Sequence, residues 1–247
     1  MERMATQDEG TGGTPVVFVH SLGGSARQWA AQVRHLRDSR RVIAVDLCGH
    51  GRSPAPPEGR YDIEVLGEEL ARTLEGLGVR RAVLVGHSFG ADVVLACAAA
   101  HPERVAGVLL VDPVPDVQGL EDAKAFVAAL DSAESSQVLE AYWEQALAGA
   151  RPEVAREVMA QLRATPRESV VGGFRAMLTF DPVAALRRYA GPALSVVTPP
   201  NASPRSLHVL SSTLAHHVVP GTSHWLQMDA PESFHASLDR FLASLAK

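Results

Sequence analysis

Cysteine is almost missing from this chain: Cys48 and Cys97 are the only two thiols in 247 residues. Their spacing fits neither a metal knuckle nor a disulfide framework, so two free thiols are expected. No stretch approaches the ~18 uninterrupted apolar residues of a membrane span. The residues before Pro15 are polar, carry Glu2, Asp8 and Glu9, and lack an apolar core, so no secretion signal is expected there. Charge is not concentrated either. Basic residues are scattered and the net charge is −5, which weighs against nucleic acid and membrane surfaces as partners. Internal repeats and low-complexity tracts are also wanting. These exclusions leave a globular protein for which the cytoplasm is the expected location. With 46% hydrophobic and 21% charged residues, it can build a large core without disulfides or metals.

What is present is an alternation. Apolar runs at Pro15–His20, Arg41–Asp46, Ala82–Gly86, Val105–Asp112, Ala193–Thr198 and His216–Pro220 read as strands. Amphipathic stretches at Ala26–Arg37, Ile63–Leu77, Phe89–Ala100, Pro204–Ser212 and Pro231–Leu245 read as helices between them. Continuous apolar strands joined by helices imply an α/β fold, a mostly parallel sheet covered on both faces. The alternation breaks from Val114 to Arg188, where only helical pattern is found: Glu121–Leu130, Gln137–Ala148, Glu153–Ala164 and Arg167–Leu178. This segment, 114–188, is expected to form a helical lid inserted into a core of residues 1–113 and 189–247. Its apolar members Phe126, Trp143, Phe174, Met177 and Leu178 are candidates to face a substrate, although at helical spacing such residues more often form core.

The most informative residues are Gly86-His87-Ser88-Phe89-Gly90, a Gly-x-Ser-x-Gly pentapeptide between the apolar run Ala82–Val85 and a helix-forming stretch. Strand, tight turn and helix are the setting in which such a serine becomes a nucleophile. Its hydroxyl stands at the carboxyl end of a strand and the amino end of a helix, where an anionic intermediate is favoured. A serine hydroxyl is a weak nucleophile and needs a base. Among ten histidines, His224 follows an apolar strand and precedes the last helix, on the edge where Ser88 lies. The plainer reading is a solvent-facing loop histidine. His87 is expected to point away from Ser88, and His216 and His217 leave their strand on opposite faces, so no metal site is expected. A tetrahedral intermediate needs N–H donors. Phe89 should supply one, and Leu22, in the glycine-rich turn Ser21-Leu22-Gly23-Gly24, the other.

Together these residues resemble the α/β-hydrolase superfamily over essentially the full chain. His20-Ser21-Leu22-Gly23-Gly24 with Trp29 is similar to its oxyanion segment, with Ser21 where glycine is usual. Asp46-Leu47-Cys48-Gly49-His50-Gly51-Arg52-Ser53 is similar to its Asp-x-x-Gly-x-Gly-x-Ser stretch, and Gly221-Thr222-Ser223-His224-Trp225 to its histidine loop. The short polar segment before Pro15 leaves little room for the family's opening hairpin, so about six strands are expected. In most relatives the acid follows the strand after the lid, but there this chain has Asn201. Asp112, at the end of the preceding strand, is expected to take the role, its plainer reading being a helix cap or lid hinge; the arrangement resembles haloalkane dehalogenases and some small esterases.

The resemblance implies a cofactor-free serine hydrolase of the carboxylesterase type, a monomer or homodimer acting on a small-molecule ester or lactone. Ser88, His224 and Asp112 are its expected catalytic residues, Leu22 and Phe89 its oxyanion donors, and Trp143, Met177 and Trp225 its substrate contacts. A lactonase, thioesterase or C–C hydrolase would use the same machinery. A reading from another class is a catalytically weak ligand receptor on this fold, suggested by the amide at position 201.

Overall fold

The computed structural model describes residues 3–117, 120–132 and 134–246. Seven strands form one sheet: β1 (Thr6–Glu9), β2 (Val16–Val19), β3 (Val42–Val45), β4 (Ala82–His87), β5 (Val105–Val111), β6 (Ala193–Val197) and β7 (Ala215–Val218). Their order is β1-β3-β2-β4-β5-β6-β7, and only the β1–β3 pairing is antiparallel.

The continuous apolar strands are explained by burial on both faces. Val16 and Phe18 of β2, Val42 and Ala44 of β3, and Val83 and Val85 of β4 pack into one core layer. Their neighbours Val17, Val19, Ile43, Val45 and Leu84 pack into the other. The first layer is covered by α1 (Ala30–Leu36) and α11 (Pro231–Ser244), through Trp29, Val33, Phe234 and Leu238. Trp29 stacks on Phe18 with ring centres 4.8 Å apart. The second is covered by α2 (Ile63–Gly76) and α3 (Phe89–Ala100). Two-sided burial of this kind is what a parallel sheet requires.

The seventh strand corrects the expected count of about six. Thr6–Glu9 pairs Thr6 with Val45 through Glu9 with Val42, in place of a hairpin. It is held by backbone bonds and by Asp8–Arg41 (2.7 Å) and Glu9–Arg37 (3.0 Å) ion pairs. An edge strand of polar residues has no buried face, so it leaves no alternation in the sequence.

Between β5 and β6 the described residues form five helices: α4 (Glu121–Ala129), α5 (Ser135–Ala146), α6 (Pro152–Ala164), α7 (Arg167–Met177) and α8 (Pro182–Arg188). The last was not anticipated, although its start is written plainly: Asp181 accepts the Ala184 N–H at 2.8 Å, and Pro182 opens the helix. Ala185 and Leu186 of α8 join the core layer that contains α3. The expected helix at Pro204–Ser212 shrinks to α9 (Leu207–Leu210), and a further short helix, α10 (Leu226–Asp229), precedes α11. No helix among the described residues is long and apolar enough to cross a membrane.

Candidate active site

Ser88 is the hinge between β4 and α3. Its backbone sits at φ 54° and ψ −120°, a conformation that costs a non-glycine residue on the order of 1–3 kcal/mol. The flanking glycines make it possible. A Cβ on Gly86 would lie 2.2 Å from the Gly90 carbonyl oxygen, and one on Gly90 would lie 2.4 Å from that of His20. Any side chain at either position would push strand and helix apart. The Ser88 N–H donates to Val111 O at 2.9 Å, which fixes the turn against the end of β5.

Asp112 is the next residue along β5 and is 1% exposed. It too has a positive φ, 42°, and its N–H donates to Val196 O at 2.7 Å. Hydrogen bonds between neighbouring strands thus set the spacing of the two positions. One Asp112 oxygen accepts the Thr198 N–H at 2.7 Å, and the Thr198 hydroxyl lies 3.0 Å from both carboxylate oxygens. The other oxygen accepts His224 Nδ1–H at 2.6 Å. A buried carboxylate must be compensated, and here three donors do it. Because Nδ1 carries the proton, His224 Nε2 is the nitrogen left to accept one.

The His224 loop is anchored at both ends of its own peptide. Its N–H donates to Ala146 O of α5 at 3.3 Å, and its carbonyl accepts His87 Nε2–H at 2.9 Å. The rings of His87 and His224 are 4.7 Å apart. Complete burial, then the neighbouring His224, hold the His87 pKa well below the usual imidazole range. His87 therefore stays neutral as a strut against the loop and lines neither of the recesses that Ser88 borders. Ser88, Asp112 and His224 open together into one cavity of about 300 Å³.

The turn after β2 is oriented by His20. Its Nδ1–H donates to the Ser21 carbonyl at 2.7 Å while Nε2 accepts the Leu47 N–H at 2.9 Å. Burial lowers the His20 pKa, which keeps this neutral tautomer. Since a trans peptide is planar, drawing Ser21 O back turns the Leu22 N–H the opposite way. Leu22 and Phe89 line a second, smaller recess with Ser88. Ser21, the departure from the family pattern, is used: its hydroxyl donates to Gln28 Oε1 at 3.1 Å and accepts Trp225 Nε1–H at 3.3 Å.

Of the helical residues singled out in the sequence, Trp143, Phe174 and Met177 line the smaller recess, together with Trp225. Phe126 and Leu178 line neither recess. Phe126 packs behind, with ring centres 5.3 Å from Tyr142 and 5.0 Å from Phe174. Two residues went unnoticed. Thr198 holds the acid, and its signal was its place directly after β6, whose register aligns Val196 with Val111. Tyr142 borders both recesses, yet nothing in a helical repeat separates it from its neighbours. Asn201 borders the larger cavity but does not reach Asp112 or His224; its carbonyl accepts the Ser206 hydroxyl. The Asp46–Ser53 stretch is structural: Asp46 accepts the Ala26 N–H (2.7 Å) and the Arg52 N–H (3.1 Å).

A serine on a strained strand-to-helix turn, beside an imidazole oriented by a buried carboxylate, defines a class of hydrolase site. Residues 14–142 match the family of the alpha/beta hydrolase fold, and the chain belongs to that family. It is 43% identical over 102 residues to the dihydrolipoyllysine-residue acetyltransferase component of the acetoin cleaving system of Pseudomonas putida, covering 41% of this chain but only 27% of that protein's length. Over 92% of this chain and 80% of the relative it is 29% identical to the sn-1-specific diacylglycerol lipase of Mus musculus. Its fold superimposes on that of a thermophilic esterase from Thermogutta terrifontis with a TM-score of 0.86 and 25% identity, covering 99% and 94% of the two chains.

Proposed function

We propose that this protein is a serine hydrolase that cleaves carboxylic esters through an acyl-enzyme on Ser88. One observation carries the reading: the 2.6 Å Asp112–His224 pair and Ser88 open into the same cavity. In this mechanism His224 Nε2 takes the Ser88 proton as Oγ attacks the ester carbon. Asp112 keeps the imidazole in the required tautomer and offsets the imidazolium charge. The N–H groups of Leu22 and Phe89 receive the oxyanion. His224 then passes the proton to the departing alcohol, and water attacks the acyl-enzyme by the same route in reverse.

The helices from Glu121 to Met177 act as the lid of this site. They bring Tyr142, Trp143, Phe174 and Met177 to it, and Gln161 and Thr165 hydrogen-bond to the turn that carries Leu22, at Ser25 (3.1 Å) and Gly23 (3.2 Å). Hydrolysis of p-nitrophenyl acetate tests the reading. Turnover that disappears in His224→Ala while the fold is retained supports it, and turnover that persists rejects it.

A further inference from the structure

Two recesses meet at Ser88, and they differ in size and in chemistry. The smaller has about 10 Å³ of free space between Leu22, Trp143, Phe174, Met177 and Trp225. That is room for roughly one water molecule. The larger, of about 300 Å³, runs past His224 to Tyr142, Gln145 and Asn201. Apart from Asp112 and His224, none of its lining side chains carries a charge. The Tyr142 hydroxyl and the Gln145 and Asn201 amides have no hydrogen-bond partner among the described residues.

These facts distribute an ester between the two spaces. The alkoxy oxygen must reach His224 Nε2 to be protonated as it leaves, since Nδ1 is taken by Asp112. His224 borders both recesses, and only the larger, with about 300 Å³ of free space against about 10 Å³, has room for an alcohol group, so the alcohol lies there. The carbonyl oxygen belongs against the Leu22 and Phe89 N–H groups, and the acyl substituent is left with the aromatic recess. An acyl group longer than acetyl would have to displace packed rings.

We propose that the substrates are esters of a very short acyl group, acetyl in size, with a neutral, hydrogen-bonding alcohol such as a polyol or sugar hydroxyl. The proposal rests on the serine-esterase reading above. In the first step the Ser88 Oγ–acetyl bond forms, the bond between the acyl carbon and the alkoxy oxygen breaks, and the serine proton leaves on the alcohol. In the second step the water oxygen bonds to the acyl carbon, the Oγ–acyl bond breaks, one water proton restores the Ser88 hydroxyl, and the other leaves with the product as acetic acid, which ionises to acetate. The three unpartnered polar groups recognise the alcohol's hydroxyls, and the neutral lining disfavours a charged one.

The test has two arms, both on the full chain. In the first, kcat/KM is measured for p-nitrophenyl acetate, butyrate and octanoate, with fluorophosphonate labelling as an independent reading of Ser88. Acetate should exceed octanoate by roughly 10- to 100-fold, the penalty for overfilling a packed site. Trp143→Ala, and separately Phe174→Leu in case the first fails to fold, should narrow that ratio. In the second arm, an acetylated methyl glycoside should be preferred over acetylcholine, and Gln145→Ala/Asn201→Ala should raise KM for the glycoside with kcat retained. Labelled enzyme that prefers octanoate, or a chain-length ratio unmoved in a folded variant, overturns the proposal. Failure to label at all overturns the esterase reading itself.

Discussion

The carboxyl edge of the sheet and the helices between β5 and β6 contribute to the site in different ways. At the edge, Ser88 and Asp112 are held by main-chain bonds to the next strand, at 2.9 and 2.7 Å, and both have left-handed backbone torsions. Their positions follow from sheet register, which cannot slip without turning buried residues outward. The helices are instead fastened by scattered side-chain bonds, such as Ser25–Gln161, Thr165–Gly23 and Tyr61–Ser169, and by an aromatic cluster of Phe126, Tyr142, Trp143 and Phe174. On the proposed reading the reactive groups sit on the edge that sheet register positions, and the helices shape the space around them. Changes at the edge should therefore alter rate, and changes in the helices should alter substrate choice.

The largest effect belongs at the edge. Asp112→Asn should lower turnover by roughly 10²–10⁴ with little change in fold, since an amide can neither fix the imidazole tautomer nor offset its charge. Asn201→Ala should leave p-nitrophenyl acetate turnover nearly unchanged. Steady-state kinetics on both variants decides this, and near-normal turnover in Asp112→Asn would mean that another carboxylate serves His224. The double variant Asp112→Asn/Asn201→Asp sharpens the point: partial rescue shows that a carboxylate at 201 can still reach the base.

A smaller loss is expected one step further out. Thr198→Val removes a hydroxyl from the Asp112 carboxylate but keeps the N–H bond. It should cost on the order of tenfold in kcat, as expected for one hydrogen bond to a charged group. Unchanged kcat would make Thr198 a packing residue.

The helices should behave otherwise. Trp143→Ala should change the ranking of acyl lengths by more than it changes kcat for acetate. A large fall in melting temperature with the ranking intact would show Trp143 to be helical core and nothing more.

The gentlest effect concerns acid stability. His50 is 1% exposed, and burial followed by the neighbouring His20 pushes its pKa down to about 3; His20 and His87 are lowered too, chiefly by burial. The unfolded chain binds protons at these imidazoles near pH 6.5, and the folded chain does so only at lower pH. Their contribution is thus complete above about pH 6.5 and is lost as pH falls from there toward 3. Melting temperature should fall progressively over that interval, and a flat profile from pH 7 to 4 would contradict it.

The same contrast explains what could be read from the chain. Gly86–Gly90 is legible because a local steric demand dictates both glycines, and His224 because its loop must follow a strand on the same edge. Asp112 could be found by its strand end, against the pull of the commoner position at Asn201. Thr6–Glu9 left no trace, because edge pairing is made by backbone and needs no apolar face. Phe126 and Phe174 look alike in sequence, and only the packing of α4, α5 and α7 decides that Phe174 reaches the recess while Phe126 stands behind it.

The central claim is that Ser88 is the nucleophile that the Asp112–His224 pair serves. Intact-mass measurement after treatment with a fluorophosphonate addresses it directly. Wild type should gain a single adduct that maps to Ser88, and Ser88→Ala, folded with the same melting profile, should gain none. An adduct that persists in Ser88→Ala would contradict the account.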